Sequence, residues 1–369
     1  MRPLGAFKSE HVVRGHLDCA ARQGILVPQP ICKMLHDSKP VKVKMSTKKQ
    51  VLTLLEANRG QTISGTAIAQ QLSLSRNAVW KAIKDLEKEG YEITASTNRG
   101  YCLSKSSDIL SAQGMLPHLA ETRNPEIIFV HDSLESTNKA AKELALSGAA
   151  HGTVVIADQQ TLGKGRFGRA FHSPPHSGIY LSIVIDPKEL SFSSQALVTI
   201  FTALSVCEAI EAISDKAPQI KWVNDVFSGG KKVCGISTEA SVDFESGSTA
   251  WLVIGIGVNF TTPEEAFPQD SRNVVGSLFE ENPPTNRNHL AAEIINRVLS
   301  PLERASEAEM LDQYKQRMFL LGKEVVVSRG AEQFEALAVD IDEAGQLIIK
   351  TDDEQLQTLS SGEISIRGK

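Results

Sequence analysis

Gly163-Lys164-Gly165-Arg166-Phe167-Gly168-Arg169 lies between two β-branched runs, Thr153–Ala157 before it and Gly178–Ile185 after it. A glycine loop between strands sits at the end of a sheet, where backbone N–H groups can approach a ligand closely. Lys164, Arg166 and Arg169 add fixed positive charge, so the loop suits a phosphate or a developing acyl-phosphate. No helix opens with Gly-Lys-Ser/Thr, which excludes a Walker A loop; read alone, the segment is equally a solvated basic loop. Further short β-branched runs (Glu126–Val130, Gln219–Trp222, Val233–Thr238, Ala250–Gly257) alternate with helical stretches near Thr137–Leu146, Ser194–Ile213 and Arg287–Ser306. That alternation predicts an α+β domain on a mixed sheet. From Leu321 onward, Gly322, Asp342-Glu343-Ala344-Gly345, Asp352-Asp353 and Ser361-Gly362 separate short strands and predict a small β-barrel.

Upstream of Asp108 the pattern is different. Val51, Leu54 and Leu55 put an apolar stripe on a first helix. Ser64-Gly65 starts a second, with Ile68 and Leu72 inward. Ser75 is an N-cap for a third that runs to about Gly90, with Val79, Ile83 and Leu86 inward and Arg76, Asn77, Lys81 and Lys84 outward. Tyr91 to Leu103 alternate around a Ser96–Gly100 turn, as a hairpin does. Three helices and a hairpin make a winged helix-turn-helix. Ser75, Arg76, Asn77, Trp80, Lys81 and Lys84 then stand on the recognition helix, and Arg99 at the wing tip suits a phosphate. The alternative is a small helical domain for protein contacts with a solvated basic face.

The charge distribution favours DNA. Residues 1–45 carry eight Lys/Arg against three acids, residues 46–105 nine against five, and residues 106–369 22 against 36. A basic amino-terminal part on an acidic body confines nucleic-acid contact to the former. The net charge of −5, 41% hydrophobic and 22% charged residues are those of an ordinary globular protein. Cys19, Cys32, Cys102, Cys207 and Cys234 are odd in number and never in CxxC spacing, which argues against a disulfide framework or zinc site and fits a reducing cytoplasm. The apolar run Trp251–Phe260 is too short to span a bilayer. Residues 1–45 read as an extension, poorly ordered or preceding the native start at Met45, with an organellar presequence as the alternative.

Three more segments carry polar groups at strand or helix ends. Lys221-Trp222-Val223-Asn224-Asp225, a Ser228-Gly229-Gly230 turn and Lys231-Lys232-Val233-Cys234-Gly235 form a hairpin; alone, its lysines are solvated turn residues and Cys234 a small buried strand residue. Ser136-Thr137-Asn138 opens a helix, as an N-cap or as hydroxyls that bind a polar ring. In Gly255-Ile256-Gly257-Val258-Asn259, glycines would let a flat ring lie against the backbone.

Taken together, these segments resemble the bacterial biotin–protein ligases: Gly163–Arg169 is similar to their glycine- and arginine-rich loop, Lys221–Asp225 to KWPND, Lys232–Gly235 to KxxG, Ser136–Asn138 to STN and Gly255–Asn259 to GIGxN. With the winged helix before them and Ser361-Gly362-Glu363-Ile364-Ser365 near the end, the likeness covers about Met45 to Lys369 and follows the organisation of the bifunctional ligase and biotin operon repressor. It implies a winged helix-turn-helix over 46–105, a ligase catalytic domain over 108–318 and a small SH3-like β-barrel over 319–369. It also implies that Ser136, Thr137, Asn138, Gln160, Gly163, Lys164, Gly165, Arg166, Lys232 and Gly235 bind biotin. Phe171, Asn224, Asp225, Gly257 and Asn259 would bind ATP, with Phe171 on adenine. Lys232 and Arg166, with Mg2+, would neutralise the anionic reactants as biotinyl-5′-AMP forms. The loop would fold over that adenylate and exclude water. Val223 replaces the family's proline, Lys164 replaces an arginine, and Phe167 occupies a variable position.

The resemblance further implies a lysine of a biotin carboxyl carrier protein as acceptor, a homodimer when biotinyl-AMP is bound, and repression at a palindromic operator. Three rival readings stay open: a biotin-sensing transcription factor without chemistry, a ligase without operator binding, and a lipoate or octanoyl transferase.

Overall fold

The computed structural model describes residues 45–96, 99–190, 194–242, 249–300, 306–329, 332–360 and 364–368. The expectations for residues 1–44 and for Ser361-Gly362-Glu363 lie outside them.

Helices α1 (Thr47–Ala57), α2 (Gly65–Gln71) and α3 (Arg76–Lys88) precede the hairpin β1 (Ile93–Ser96) and β2 (Gly100–Leu103). Both predicted caps form: Ser64 Oγ accepts from Ala67 N and Ser75 Oγ from Ala78 N. Gly90, at φ 92°, ends α3, and Tyr91 N reaches back to Leu86 O at 3.1 Å, the six-residue closure of a Schellman turn. Val51, Leu55, Ile68, Val79, Ile83, Leu86 and Leu103 form a separate core. Arg59 ties α1 to the chain beyond the wing, donating to the buried Glu56 carboxylate and to the carbonyls of Ser104 and Ser107.

The central sheet has seven strands: β3 (Ile128–Leu134), β4 (Val154–Gln160), β5 (Gly178–Ile185), β6 (Gln219–Lys221), β7 (Asp225–Ser228), β8 (Lys231–Val242) and β9 (Thr249–Asn259). They lie in the order β3-β4-β5-β9-β8-β7-β6. Only the β3–β4 pair is parallel, as the crossover helix α5 (Thr137–Leu146), which follows the short α4 (Ala112–Met115) in the chain, requires. The strand expected at Glu126–Val130 begins later, because Pro125 opens a 3-10 turn over Pro125–Ile127. Gly229 and Gly230, at φ 58° and 77°, make the two-residue turn of the β7–β8 hairpin.

Helix α6 (Gln195–Ile213) is apolar on all sides. By length and composition it could cross a membrane, but most of its apolar stretch is buried within the fold. Uniform apolarity is what a helix enclosed on every side needs. Of the stretch expected over Arg287–Ser306, α7 covers Arg287–Leu299, and a further helix, α8 (Glu307–Arg317), begins after its end. The carboxy-terminal barrel region is an antiparallel five-stranded sheet. Its strands β10 (Glu324–Arg329), β11 (Glu332–Ile341), β12 (Leu347–Thr351), β13 (Leu356–Leu359) and β14 (Ile364–Gly368) lie in the order β13-β12-β11-β10-β14. Its inward residues Val325, Val327, Ala338 and Ile349 join the same core as α6 and the central sheet.

Arg287 at the start of α7 is 1% exposed. Its guanidinium meets Asp108 at 2.8 Å and Asp158 of β4 at 2.7 Å, and donates to the carbonyls of Gly178 and Asp108. A buried cation so fully partnered is tolerated; stripped of a partner it would be strongly destabilising.

Candidate active site

A cavity of about 210 Å³ lies against the middle of β8 and β9. The start of α5, the end of β4, the 163–171 loop and the β6–β7 turn complete its wall. Most predicted site residues line it: Ser136, Thr137, Asn138, Gln160, Lys164, Gly165, Arg166, Phe171, Asn224, Asp225, Lys232, Gly235 and Gly257. Gly163 and Asn259 are not among its lining residues. Gly163 is buried and faces the Phe171 carbonyl so closely that a Cβ would stand 2.4 Å from it. Asn259 donates to Gly276 O at 3.1 Å.

One end of the cavity is neutral. Ser136 occupies the N-cap position of α5, but its hydroxyl makes no capping bond. Thr137 donates to Gln160 Oε1 through its backbone N (2.8 Å) and its hydroxyl (3.1 Å). Gln160 Nε2 in turn donates to Ser173 Oγ at 2.9 Å. Ser182, a fully buried polar residue in the apolar strand β5, places Oγ 2.8 Å from Thr137 Oγ1 and 2.6 Å from Asn138 Oδ1. Asn138 Nδ2 donates to Glu239 Oε1 at 2.6 Å and Ser237 Oγ at 3.1 Å.

The glycines of β9 serve side chains of this protein. At Gly255 a Cβ would stand 2.2 Å from Asn138 Oδ1, and at Gly257 2.5 Å from the Phe171 ring. Gly235 and Gly257 are cross-strand partners, and the Phe171 ring lies close against both. The flat ring anticipated against the Gly255–Asn259 backbone is here that of Phe171.

The other end is charged. Lys232 Nζ pairs with Asp225 Oδ1 at 2.6 Å, both side chains about three-quarters covered. Arg166 Nη1 donates to Asn224 Oδ1 at 3.0 Å, and Asn224 Nδ2 donates to Ile236 O at 2.8 Å. Burial lowers the Arg166 pKa, with Asp225 opposing that shift, yet a guanidinium stays charged. The loop that carries Arg166 is folded back on itself: Phe171 N donates to Gly163 O (2.9 Å), Gly165 N to Arg169 O (2.8 Å), and Gly168 adopts φ 71°. Two contacts hold the β6–β7 turn from behind. Trp222 Nε1 donates to Gly345 O at 3.1 Å, and the buried Tyr314 hydroxyl to Val223 O at 3.2 Å.

Sequence reading did not single out Ser182, Ser237 or Glu239, and took Gly345 only for a turn residue between strands. A lone serine in the buried strand Gly178–Ile185 was the available signal for the first; the others depend on pairings remote in sequence. Cys234 is buried, and burial pushes its thiol pKa up, as suits a packing residue. Among the described residues no group of three or more His, Cys, Asp or Glu could hold a metal ion. Among the described residues Asp225 is the one carboxylate lining the cavity.

On the recognition helix Ser75, Arg76, Asn77, Trp80 and Lys81 are exposed, as is Arg99 on the wing. Trp80 is 52% exposed, unusual for an indole with no contact to make. Arg76 also reaches Thr66 of α2, and Lys84 is half-buried and paired with Glu87 at 2.5 Å.

Residues 130–259 match the biotin/lipoate A/B protein ligase family, residues 47–102 a helix-turn-helix domain and residues 320–367 the biotin protein ligase C-terminal domain. The bifunctional ligase/repressor BirA of Bacillus subtilis is 35% identical over 236 residues, 64% of this chain and 72% of the relative. The bifunctional ligase/repressor BirA of Escherichia coli is 26% identical over 323 residues, 86% of this chain and 96% of its own. A biotin protein ligase from Aquifex aeolicus, solved in complex with biotin and ATP, superposes with a TM-score of 0.56 at 29% identity and covers 66% of this chain and 99% of that one.

Proposed function

The chain belongs to the family of bifunctional biotin ligase/repressors, and from that membership we propose how its cavity makes and transfers biotinyl-5′-AMP. The observation that carries the reading is a neutral hydrogen-bonding end and a cationic end in one cavity. Biotin has the same division, a neutral ureido ring at one end and a carboxylate at the other.

Thr137 and Gln160, with Ser136 and the backbone of Gly165, hold the ring, while Asn138 and Gly235 shape its seat. Lys164, Arg166 and Lys232 face the carboxylate and the nucleotide. A biotin carboxylate oxygen attacks the α-phosphorus of ATP, and the bond to the departing pyrophosphate breaks with its electron pair. Both reactants are anions, so lowering their repulsion is the main task, and fixed cations in a partly dry site do that well. Magnesium carried by the triphosphate spreads its negative charge; Asp225 is the carboxylate at hand if the ion needs a protein ligand. Asn224 and Phe171 attend the nucleotide, over the platform that Gly257 provides. Asn259 supports that end from below. The Gly163–Arg169 loop shields the mixed anhydride from water until a carrier lysine attacks the acyl carbon and AMP leaves.

The winged helix gives the second activity. Ser75 caps the recognition helix; Arg76, Asn77, Trp80 and Lys81 read the major groove; Lys84 and the wing residue Arg99 meet phosphates. The partners are a biotin carboxyl carrier domain, operator DNA and a second copy of the chain when the adenylate is bound, all in the cytoplasm. Biotin-dependent pyrophosphate release tests the chemistry, with lipoate as control: turnover with lipoate alone would refute it. Binding to a palindromic operator should weaken steeply with salt and require biotin plus ATP. Trp80→Ala should weaken specific binding about tenfold or more while leaving the salt slope unchanged.

A further inference from the structure

The neutral end of the cavity contains a hydrogen-bond relay whose direction is fixed from outside the ligand's reach. Asn138 and Lys142, one turn apart on α5, both meet Glu239 of β8: Asn138 Nδ2 through Oε1 at 2.6 Å, Lys142 Nζ through Oε2. An ionised carboxylate only accepts. Asn138 must therefore turn its NH2 toward Glu239 and its Oδ1 toward Ser182. Since Oδ1 cannot donate, the 2.6 Å contact takes the single Ser182 hydroxyl proton. The Thr137 hydroxyl proton then has two internal acceptors, Ser182 Oγ at 2.8 Å and Gln160 Oε1 at 3.1 Å, and either one turns it away from the cavity. Gln160 Oε1 keeps the Thr137 backbone N–H at 2.8 Å.

We propose that Glu239 is a positioning residue for ligand recognition: through Asn138 and Ser182 it leaves Thr137 Oγ1 with only lone pairs toward the cavity, an acceptor for a ring N–H. The proposal rests on the biotin reading above, since a cyclic urea supplies such an N–H. Glu239 is not among the cavity-lining residues, and its side chain is 40% exposed toward solvent beside Lys142. Without it the Asn138 amide can turn over and reverse the relay, so that Ser182 donates to Thr137 Oγ1 and takes up a lone pair that the ring N–H would use. A misdirected buried polar group costs more than the loss of one ordinary bond.

The test compares wild type, Glu239→Ala and Glu239→Gln by direct biotin binding without ATP, by steady-state KM for biotin and for ATP, and by thermal midpoint. Glutamine keeps an oxygen that can accept from Asn138. Glu239→Ala should weaken biotin binding and raise its KM at least tenfold, with the KM for ATP within about twofold. Glu239→Gln should recover most of the biotin affinity. Unchanged biotin affinity in Glu239→Ala overturns the proposal, as does equal impairment of both variants with the ATP KM and thermal midpoint moving in step. Wild type that binds no biotin overturns the functional reading itself; wild type that binds biotin, with the Ala variant its equal, overturns only this inference.

Discussion

The two ends of the cavity handle polarity in opposite ways. At the neutral end Thr137, Asn138, Gln160 and Ser182 bond to one another and to Ser173, Ser237 and Glu239, so dipoles are oriented before a ligand arrives. At the charged end Lys232 rests on Asp225 and Arg166 on Asn224, partners that an incoming anion can replace. The neutral end therefore discriminates by direction, and misdirected partners penalise the wrong ligand. The charged end works by field strength, which acts on any well-placed anion and is stronger where water is excluded.

The sharpest way to break this contrast is Lys232→Ala. Pyrophosphate release should fall about one hundred- to one thousand-fold, as when a preorganised charge partner of a developing anion is removed. Biotin binding measured without ATP should change far less; an equal loss in both would merge the two ends into one. Gly255→Ala attacks the other end. Its new methyl would stand 2.2 Å from Asn138 Oδ1, so the amide must shift, and biotin affinity should drop about tenfold or more with the ATP KM nearly constant. In the double variant the two free-energy losses should add to within about 0.5 kcal/mol, because the sites share no bonded partner. Raising salt should then increase the ATP KM several-fold and leave biotin binding almost level.

A smaller effect comes from a pair remote from both ends. His118 and His289 stack at 3.9 Å, and burial, followed by the facing His289 and Arg59, lowers the His118 pKa to about 4. The folded state thus resists a proton that the unfolded chain accepts at its ordinary pKa. Stability is full above that value and falls as pH drops toward 4. For a half-exposed ring the loss should be about 1–2 kcal/mol after allowance for solvent screening. Denaturant midpoints across this range should show that slope, and His118→Phe should flatten it. An acid-induced loss of ligand binding with the slope unchanged would instead locate the titration in the cavity.

Much of this architecture was legible because local signals agreed. Ser64 and Ser75 cap the helices they announce, α5 covers the expected stretch Thr137–Leu146, and β5 is buried along the whole of its expected length. The site was legible where it is made of short motifs: Ser136–Asn138, the 163–169 loop and Lys221–Gly235 converge. What escaped was long-range. Trp222 finds its acceptor 123 positions later at Gly345, and no local pattern encodes that bond. Arg287 resembles any basic residue at the start of a surface helix until the fold encloses it with Asp108 and Asp158. Gly255 and Gly257 were read correctly as places of close approach, but whether a ligand or a side chain makes the approach is decided by tertiary packing.

The continuity of the core around α6 has a consequence for how the molecule comes apart. Side chains from β10, β11 and β12 interleave with those of α6 and the central sheet, while the winged helix has its own apolar cluster. Sequence divides the chain into three segments, yet the carboxy-terminal sheet and the catalytic region share one set of apolar contacts. Calorimetry should resolve at most two heat-absorption events. The carboxy-terminal sheet should melt together with the catalytic region, and deleting residues 319–369 should leave exposed core that aggregates rather than a smaller working ligase.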